Sequence, residues 1–149
     1  MKSTPPLLQL IEGRCVRPRK APVVRQKEIA LHMAVAKLLR QRCCGDWQWT
    51  HIGHGEARDA RTAAKLRRMG LRAGWPDFVL VPPTGRFHAL ELKRSGEDLS
   101  AEQETFKRWA ARHGVPFVVA YSMQDVLTAF AEWRCLEPSA LALIGGVDG

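Results

Sequence analysis

The sequence lacks any long hydrophobic segment. No run of about eighteen apolar residues occurs, so no stretch reaches the length that a transmembrane helix needs. The N-terminus shows no signal-peptide hydrophobic region, because its first six residues lead only into a short apolar cluster at residues 7–11. We therefore expect a cytoplasmic protein that does not act in a membrane.

Cysteine is also sparse. The four cysteines are Cys15, Cys43, Cys44 and Cys135. Their spacing matches neither a disulfide framework nor a CxxC zinc pattern. A zinc site built from Cys43, Cys44, His51 and His54 is an alternative, although its spacing is irregular for zinc ligands. We expect reduced, partly buried thiols, as is usual in the cytosol.

Acidic residues are outnumbered by basic ones. The chain has 15 Asp and Glu against 23 Lys and Arg, which gives a net charge of +8. The excess lies in two arginine-rich clusters, at residues 14–20 and 58–72. A positive field attracts polyanions, either nucleic acid or an anionic membrane. Without a membrane segment, this charge favours a nucleic-acid partner, and we expect no small organic cofactor.

Length and composition indicate one compact domain, with 149 residues of which 46% are hydrophobic. Residues 1–24 carry four prolines among basic residues and no sustained periodicity, so we expect a flexible or loosely docked basic arm. Within residues 135–149, Glu137-Pro138 would break a helix and Gly145-Gly146 precedes a polar end, which predicts a peripheral tail. The domain itself is expected at residues 25–134.

Hydrophobic periodicity predicts alternating helices and strands within that domain. Capping residues Ser100 and Ser122 begin two helices, the first of which would bury Phe106, Trp109 and Ala110. The short turn at residues 82–85 predicts an antiparallel hairpin. Together these elements predict an α/β sandwich around a mixed sheet. Further helices are predicted over residues 26–42 and 59–69, and strands over residues 47–52, 77–81, 86–93 and 117–121.

Three charged residues occupy the predicted hairpin. Glu91 and Lys93 are two positions apart, so they share one face of their strand while the neighbouring leucines point the other way. The turn of the hairpin brings Asp77, at the start of the first strand, close to Glu91 and Lys93 at the end of the second strand. Converging carboxylates repel each other unless a cation lies between them, and oxygen ligands favour Mg²⁺ or Mn²⁺ over zinc. We therefore expect a divalent metal site, with a surface ion cluster as the alternative.

The motifs around these residues resemble those of the VRR-NUC family of the PD-(D/E)xK superfamily. The pattern is typical of small stand-alone members, many of them encoded by phages and prophages. Several linked motifs in the right order are more specific than an isolated Glu-x-Lys, and here they cover most of the domain. The matching residues are Glu28, Gly70 to Asp77, Glu91 to Arg94, Ser100 to Gln103, and Gly114.

This resemblance implies a restriction-endonuclease-like core of four mixed strands flanked by helices. It also implies hydrolysis of phosphodiester bonds by a metal that Asp77 and Glu91 bind, with help from the Leu92 carbonyl. Glu28 matches a position that often completes the metal site. A solvated glutamate in the first turn of a helix is the alternative for Glu28.

The same resemblance implies that Lys93 orients or activates the attacking water and stabilises charge on the phosphate. An ammonium group suits this work because it is a compact charge whose protonation responds to its surroundings. Gln103 matches a position that supports the lysine or the substrate. Alternatively, Gln103 is only the capping-box partner of Ser100.

Basic residues around the hairpin are the expected phosphate contacts, although a solvated helix face is the alternative. Trp47, Trp49 and Trp75 are expected in the core, and Trp75 is the best candidate for base stacking because it adjoins Asp77. His51 is taken as an ordinary loop histidine. The expected DNA-binding residues are Arg58, Arg61, Lys65, Arg68, Arg72 and Arg94.

We therefore predict a Mg²⁺- or Mn²⁺-dependent DNA endonuclease, with selectivity for branched, flapped or junction DNA as a further hypothesis. A non-catalytic nucleic-acid-binding module and a nuclease subunit that needs a partner are the alternatives. A homodimer is expected, because two-fold symmetry would present two active sites to two strands.

Overall fold

The computed structural model describes residues 22–53 and 59–145, and the side chains of residues 29–53 and 59–142. Most of the predicted basic arm, together with His54 and Arg58, lies outside the described residues. The backbone of Glu28 lies in the first helix, but its side chain is also outside the described set. Predictions on these residues stay predictions.

Helices and strands follow one another in the order that the periodicity predicts, with one further helix after the last predicted one. The described helices are α1 (Pro22–Arg42), α2 (Ala60–Arg68), α3 (Ala101–Arg112), α4 (Met123–Trp133) and α5 (Pro138–Gly145). The strands are β1 (Gln48–His51), β2 (Phe78–Val81), β3 (His88–Leu92) and β4 (Phe117–Ala120). Side-chain caps begin three of the helices, since Asp59, Ser100 and Ser122 each accept a backbone N–H from the first turn.

The four strands form one mixed sheet in the order β1-β2-β3-β4. β1 and β2 are antiparallel, β2 and β3 form the predicted antiparallel hairpin, and β3 and β4 run parallel. A helix, α3, connects the two parallel strands, as such a crossover requires. The structure confirms the α/β sandwich with a mixed four-stranded sheet.

The two faces of β3 differ in chemistry because side chains alternate along a strand. Leu90 and Leu92 are buried in the main core together with Phe78 of β2, and α1 and α4 contribute Val35 and Phe130 to the same core. The intervening Glu91 therefore projects from the opposite face, on which α3 lies. This arrangement places a carboxylate between the sheet and a helix.

The segment after α4 belongs to the core, in contrast to the peripheral position that we expected. Cys135 and Leu136 are at most 1% exposed and Ala140 is 5% exposed. Pro138 begins α5 instead of ending a helix, because the first helical position has no need of a backbone N–H. The expectation of a peripheral tail is therefore wrong for Cys135, Leu136 and Ala140, whereas residues 137–139 are exposed.

Trp109 is a second correction. We expected it in the buried face of α3, but its side chain is 45% exposed, whereas Ala110 beside it is fully buried. The helix covers only part of the sheet, so the apolar stripe on α3 extends beyond the surface available to cover it. Among the described helices, none is long and apolar enough to cross a membrane.

Candidate active site

Asp77 lies immediately before β2, at the end of the sheet where β3 finishes. Its carbonyl accepts a hydrogen bond from the Ile52 amide at 2.8 Å, which ties it to the end of β1. Its carboxylate oxygen Oδ2 accepts the Leu92 amide of β3 at 2.7 Å. Both neighbouring strands therefore hold Asp77, and the hairpin brings it beside the Glu-x-Lys motif as predicted.

Glu91 and Lys93 share one face of the strand end. Glu91 is buried, with only 2% of its surface exposed. The Lys93 ammonium Nζ lies 3.6 Å from Glu91 Oε1. Because a buried carboxylate without a compensating partner costs several kcal/mol, this lysine contributes to holding the charge inside the protein.

Gln103 completes the capping box of α3 and also contacts Glu91, a partner that the resemblance did not name. Its side-chain oxygen accepts the Ser100 amide at 2.8 Å, which completes the capping box of α3. Its side-chain nitrogen donates a hydrogen bond to Glu91 Oε1. The start of α3 is thereby joined directly to the buried carboxylate.

The pKa of Glu91 is raised to about 8, first by burial and then by the negative charge of Asp77, against the opposing effect of Lys93. Burial also raises the pKa of Asp77, against the opposing effects of His32, the Leu92 amide, His51 and Lys93. Two carboxyl groups therefore destabilise each other's ionised form. A cation between them would relieve both effects.

Two histidines next to Asp77 were not recognised from the sequence. His32 of α1 places Nε2 at 3.8 Å from Asp77 Oδ1. His51 is part of β1, and its Nδ1 lies 2.8 Å from the Asp77 carbonyl oxygen. The two imidazole rings meet edge to face with their centroids 5.2 Å apart. The only signal in the sequence was the i, i+4 spacing of Glu28 and His32, which places both on one side of a helix.

Gly74 permits the loop before Asp77 to lie against α3. A Cβ at this position would lie 2.5 Å from the Glu102 carbonyl oxygen, and the backbone has a φ of +87°. Both conditions favour glycine. Pro76, between this contact and Asp77, is fully buried. The loop that carries Asp77 is therefore fixed on both sides.

Among the described side chains, no group of three or more His, Cys, Asp and Glu residues is placed to hold a metal ion. Cys43, Cys44 and His51 of the alternative zinc cluster therefore do not form such a group, and its fourth member, His54, lies outside the described residues. The described cysteines are free thiols and partly or fully buried, as expected. Asp77 and Glu91 nevertheless fit a hard cation in their chemistry, because both are carboxyl groups with raised pKa values, Glu91 buried and Asp77 with 16% of its side chain exposed.

Four of the described basic residues expected to contact DNA are exposed on the surface. Arg61, Lys65 and Arg68 are exposed on α2, and Arg72 is exposed in the loop that follows. Arg94 differs from these, because its guanidinium Nη2 binds Glu97 Oε1 at 2.7 Å. Arg94 therefore already forms an ion pair with Glu97, a residue of its own loop.

Comparison with known proteins agrees with this geometry. A model of the VRR-NUC domain family matches residues 26–124. A solved structure described as a VRR-NUC domain protein superimposes with a TM-score of 0.53 at 21% sequence identity, covering 71% of this chain and 86% of that chain. No curated protein matches the chain. The matched segment contains the whole sheet, α3 and all the charged residues described above, and the chain belongs to the VRR-NUC family, a family of nuclease-type domains.

Proposed function

We propose that this protein is a metal-dependent DNA endonuclease whose reaction centre contains Asp77, Glu91 and Lys93. The observation that carries the proposal is the buried Glu91 carboxylate, held beside Asp77 and Lys93 with its pKa raised to about 8. Strongly perturbed carboxyl groups next to a lysine are typical of sites built for chemistry or for a metal. Membership of a nuclease-type family makes phosphodiester hydrolysis the matching reaction.

Asp77 and Glu91 would hold a Mg²⁺ or Mn²⁺ ion, with the Leu92 carbonyl and Glu28 as the further expected ligands. When bound, such an ion lowers the pKa of a water molecule and offsets charge on the phosphate. The Leu92 amide fixes one Asp77 oxygen and Gln103 fixes one Glu91 oxygen, so both carboxylates are oriented before any ligand binds. His32 lies close enough to Asp77 to steady its second oxygen.

Lys93 provides a positive charge at the same strand end. Its ammonium lies 3.6 Å from Glu91, at the edge of the buried site. There it would bind a phosphate oxygen and stabilise the charge that develops during hydrolysis. The exposed cations of α2 and Arg72 would hold the flanking phosphates.

We further propose that the protein acts in the cytoplasm as a homodimer that cuts both strands of its substrate. A single domain of 16.7 kDa covers little duplex, and two-fold symmetry would present one site to each strand. Light scattering at micromolar concentration should then give twice the chain mass. A monomer that cuts both strands would contradict the symmetric arrangement.

The proposed activity is tested by incubating the purified protein with single-stranded, linear duplex, flapped and four-way-junction DNA. Each substrate is tested with Mg²⁺, with Mn²⁺ and with EDTA. We expect cleavage only with a metal, and the pattern across the panel will define structure selectivity. Absence of cleavage on every substrate, from a protein that still binds DNA, would instead identify a binding module or a subunit that needs a partner.

A further inference from the structure

A row of aromatic rings extends from the candidate active site along the open side of α3. We call it the aromatic ridge; it consists of Trp75, Phe87, Phe106, Trp109 and Phe117. Phe106 lies at its centre, with ring centroids 5.4 Å from Trp75 and 5.6 Å from Trp109. Phe87, just before β3, and Phe117 of β4 contact Phe106 with ring centroids at 6.3 and 5.9 Å.

The two tryptophans of the ridge are exposed to solvent. Trp75 is 40% exposed and contacts the partly buried Phe87 and Phe106. Trp109 is 45% exposed, contacts Phe106 and stacks on the His113 ring at 4.9 Å between centroids. Large apolar rings on a surface carry a hydration cost unless a ligand covers them. Rings that neighbouring side chains already hold in place lose little conformational freedom when a ligand stacks on them.

The surroundings of the ridge carry positive charge. Arg112 is exposed on α3 three residues after Trp109, which places it on the same side of the helix, and Arg72 is exposed three residues before Trp75. The acidic residues of α3 are confined to its first turn. Exposed aromatic rings among cations are the combination that binds single-stranded nucleic acid, whose bases stack while its phosphates pair with the charges.

The ridge is continuous with the candidate active site. Trp75 is two residues before Asp77, and Gly74 next to it lies against the backbone of α3. The same helix carries Gln103, which donates to Glu91, and Phe106 one turn later. A strand bound along the ridge would therefore lead directly to the buried carboxylates.

We propose that the aromatic ridge binds unpaired bases of single-stranded DNA next to the bond to be cut, with Trp75 and Trp109 as the stacking residues. This inference rests on the proposed nuclease function only for the position of the cut. Base binding by the ridge is a separate property that can be measured without cleavage.

The test measures affinity in EDTA, by fluorescence anisotropy, for a deoxythymidine strand of about 20 nucleotides and for a strand of the same length that lacks bases in its middle part. The parent protein should bind the complete strand more tightly than the abasic one. Trp109→Ala should lose about five-fold or more in affinity for the complete strand, the contribution of one stacked base, and little for the abasic strand. Trp109→Phe should recover most of the loss.

Met33→Ala is the matched control, because Met33 is 67% exposed on α1, away from the ridge. It should leave both affinities within about two-fold of the parent. Equal binding of the complete strand by Trp109→Ala and parent would overturn the inference. So would a change from dimer to monomer in Trp109→Ala with unchanged DNA binding, because the ridge would then be a protein interface. If base-dependent binding is observed but no cleavage occurs with any metal, the nuclease proposal fails, whereas the proposal that the ridge binds unpaired bases stands.

Discussion

Glu91 is the residue whose environment departs furthest from that of an ordinary surface carboxylate. It lies on a central strand, it is 2% exposed, and its charge is opposed by burial and by Asp77. Lys93 and Gln103 both contact the same carboxylate oxygen. Ionisation of Glu91 is unfavourable in the folded protein. We therefore expect Glu91 to make the free energy of unfolding depend on pH.

The pKa of Glu91 rises from 4.5 to about 8 on folding, so between these values the folded protein binds more protons than the unfolded chain. The free energy of unfolding of the metal-free protein should therefore fall as pH rises through this window, by about 1.4 kcal/mol per unit of pKa difference at most. Asp77 contributes in the same direction. Glu91→Gln should remove much of the slope.

Thermal unfolding in EDTA from about pH 5 to pH 8 measures this slope. Glu132→Gln, at an exposed position on α4, is the control and should retain the dependence of the parent. Identical slopes for the parent and Glu91→Gln would contradict the raised pKa of the buried Glu91.

Gln103 should show separable effects on stability and on activity. Gln103→Glu retains an oxygen for the Ser100 amide but replaces the donor to Glu91 with a negative charge. Activity should fall by about 10- to 100-fold, as is usual when a residue that orients a metal ligand is removed. Ser100→Ala should do the reverse, lowering stability by about 1 kcal/mol through removal of the cap while activity is retained.

Cleavage rates and chemical denaturation of the two variants make this comparison. If Ser100→Ala reduced activity as much as Gln103→Glu does, activity would depend on the helix cap and not on the hydrogen bond to Glu91.

At the scale of elements, local signals predicted much of the fold. The caps at Asp59, Ser100 and Ser122 and the turn before β3 are short-range features, because their partners are within a few residues. The hairpin in turn brought Asp77 to Glu91. The approach of His32 to Asp77 was not predictable in this way, since it depends on how α1 crosses the sheet.

The helix α2 should act as a phosphate-binding element. Arg61, Lys65 and Arg68 recur at helical spacing and are all exposed. Neutralising the three together should weaken binding to every DNA sequence. It should also reduce the slope of log affinity against log salt by about 0.9 for each phosphate that the protein no longer neutralises. Filter binding or anisotropy over a salt series measures both quantities.

The control for α2 replaces the exposed Lys37, Arg40 and Arg42 of α1, which changes the net charge equally. Its salt slope should stay nearer that of the parent. If the two triple variants behaved alike, binding would depend on overall charge and not on the position of α2.

For the molecule as a whole, the core extends further along the chain than its apolar periodicity suggested. Proline can end one helix or begin the next, and the sequence around Pro138 did not distinguish these outcomes. Cys43 and Leu136 also form a β-bridge, which joins the end of α1 to the segment before α5. The position of Trp109 was misjudged for a related reason, since periodicity defines a helix face but not how much of it the sheet covers.

Leu136→Ala tests whether residues 135–140 are part of the core. Leu136 is 1% exposed within the main hydrophobic cluster, so its truncation should cost about 2 to 5 kcal/mol of stability. Ser139→Ala, at an exposed position nearby, should cost little. Chemical denaturation measures the free energy of unfolding of both variants. Equal values would contradict the assignment of this segment to the core.

The most direct test of the central claim is metal-dependent DNA cleavage by the parent, Asp77→Asn and Glu91→Gln, measured alongside their thermal unfolding. Both substitutions keep the size of the side chain and remove the charge that would bind the ion. We expect the parent to cut DNA with Mg²⁺ or Mn²⁺ and both variants to fold but cut about a thousand-fold or more slowly. Well-folded variants that cut DNA at the rate of the parent would contradict the assignment of Asp77 and Glu91 as the reaction centre.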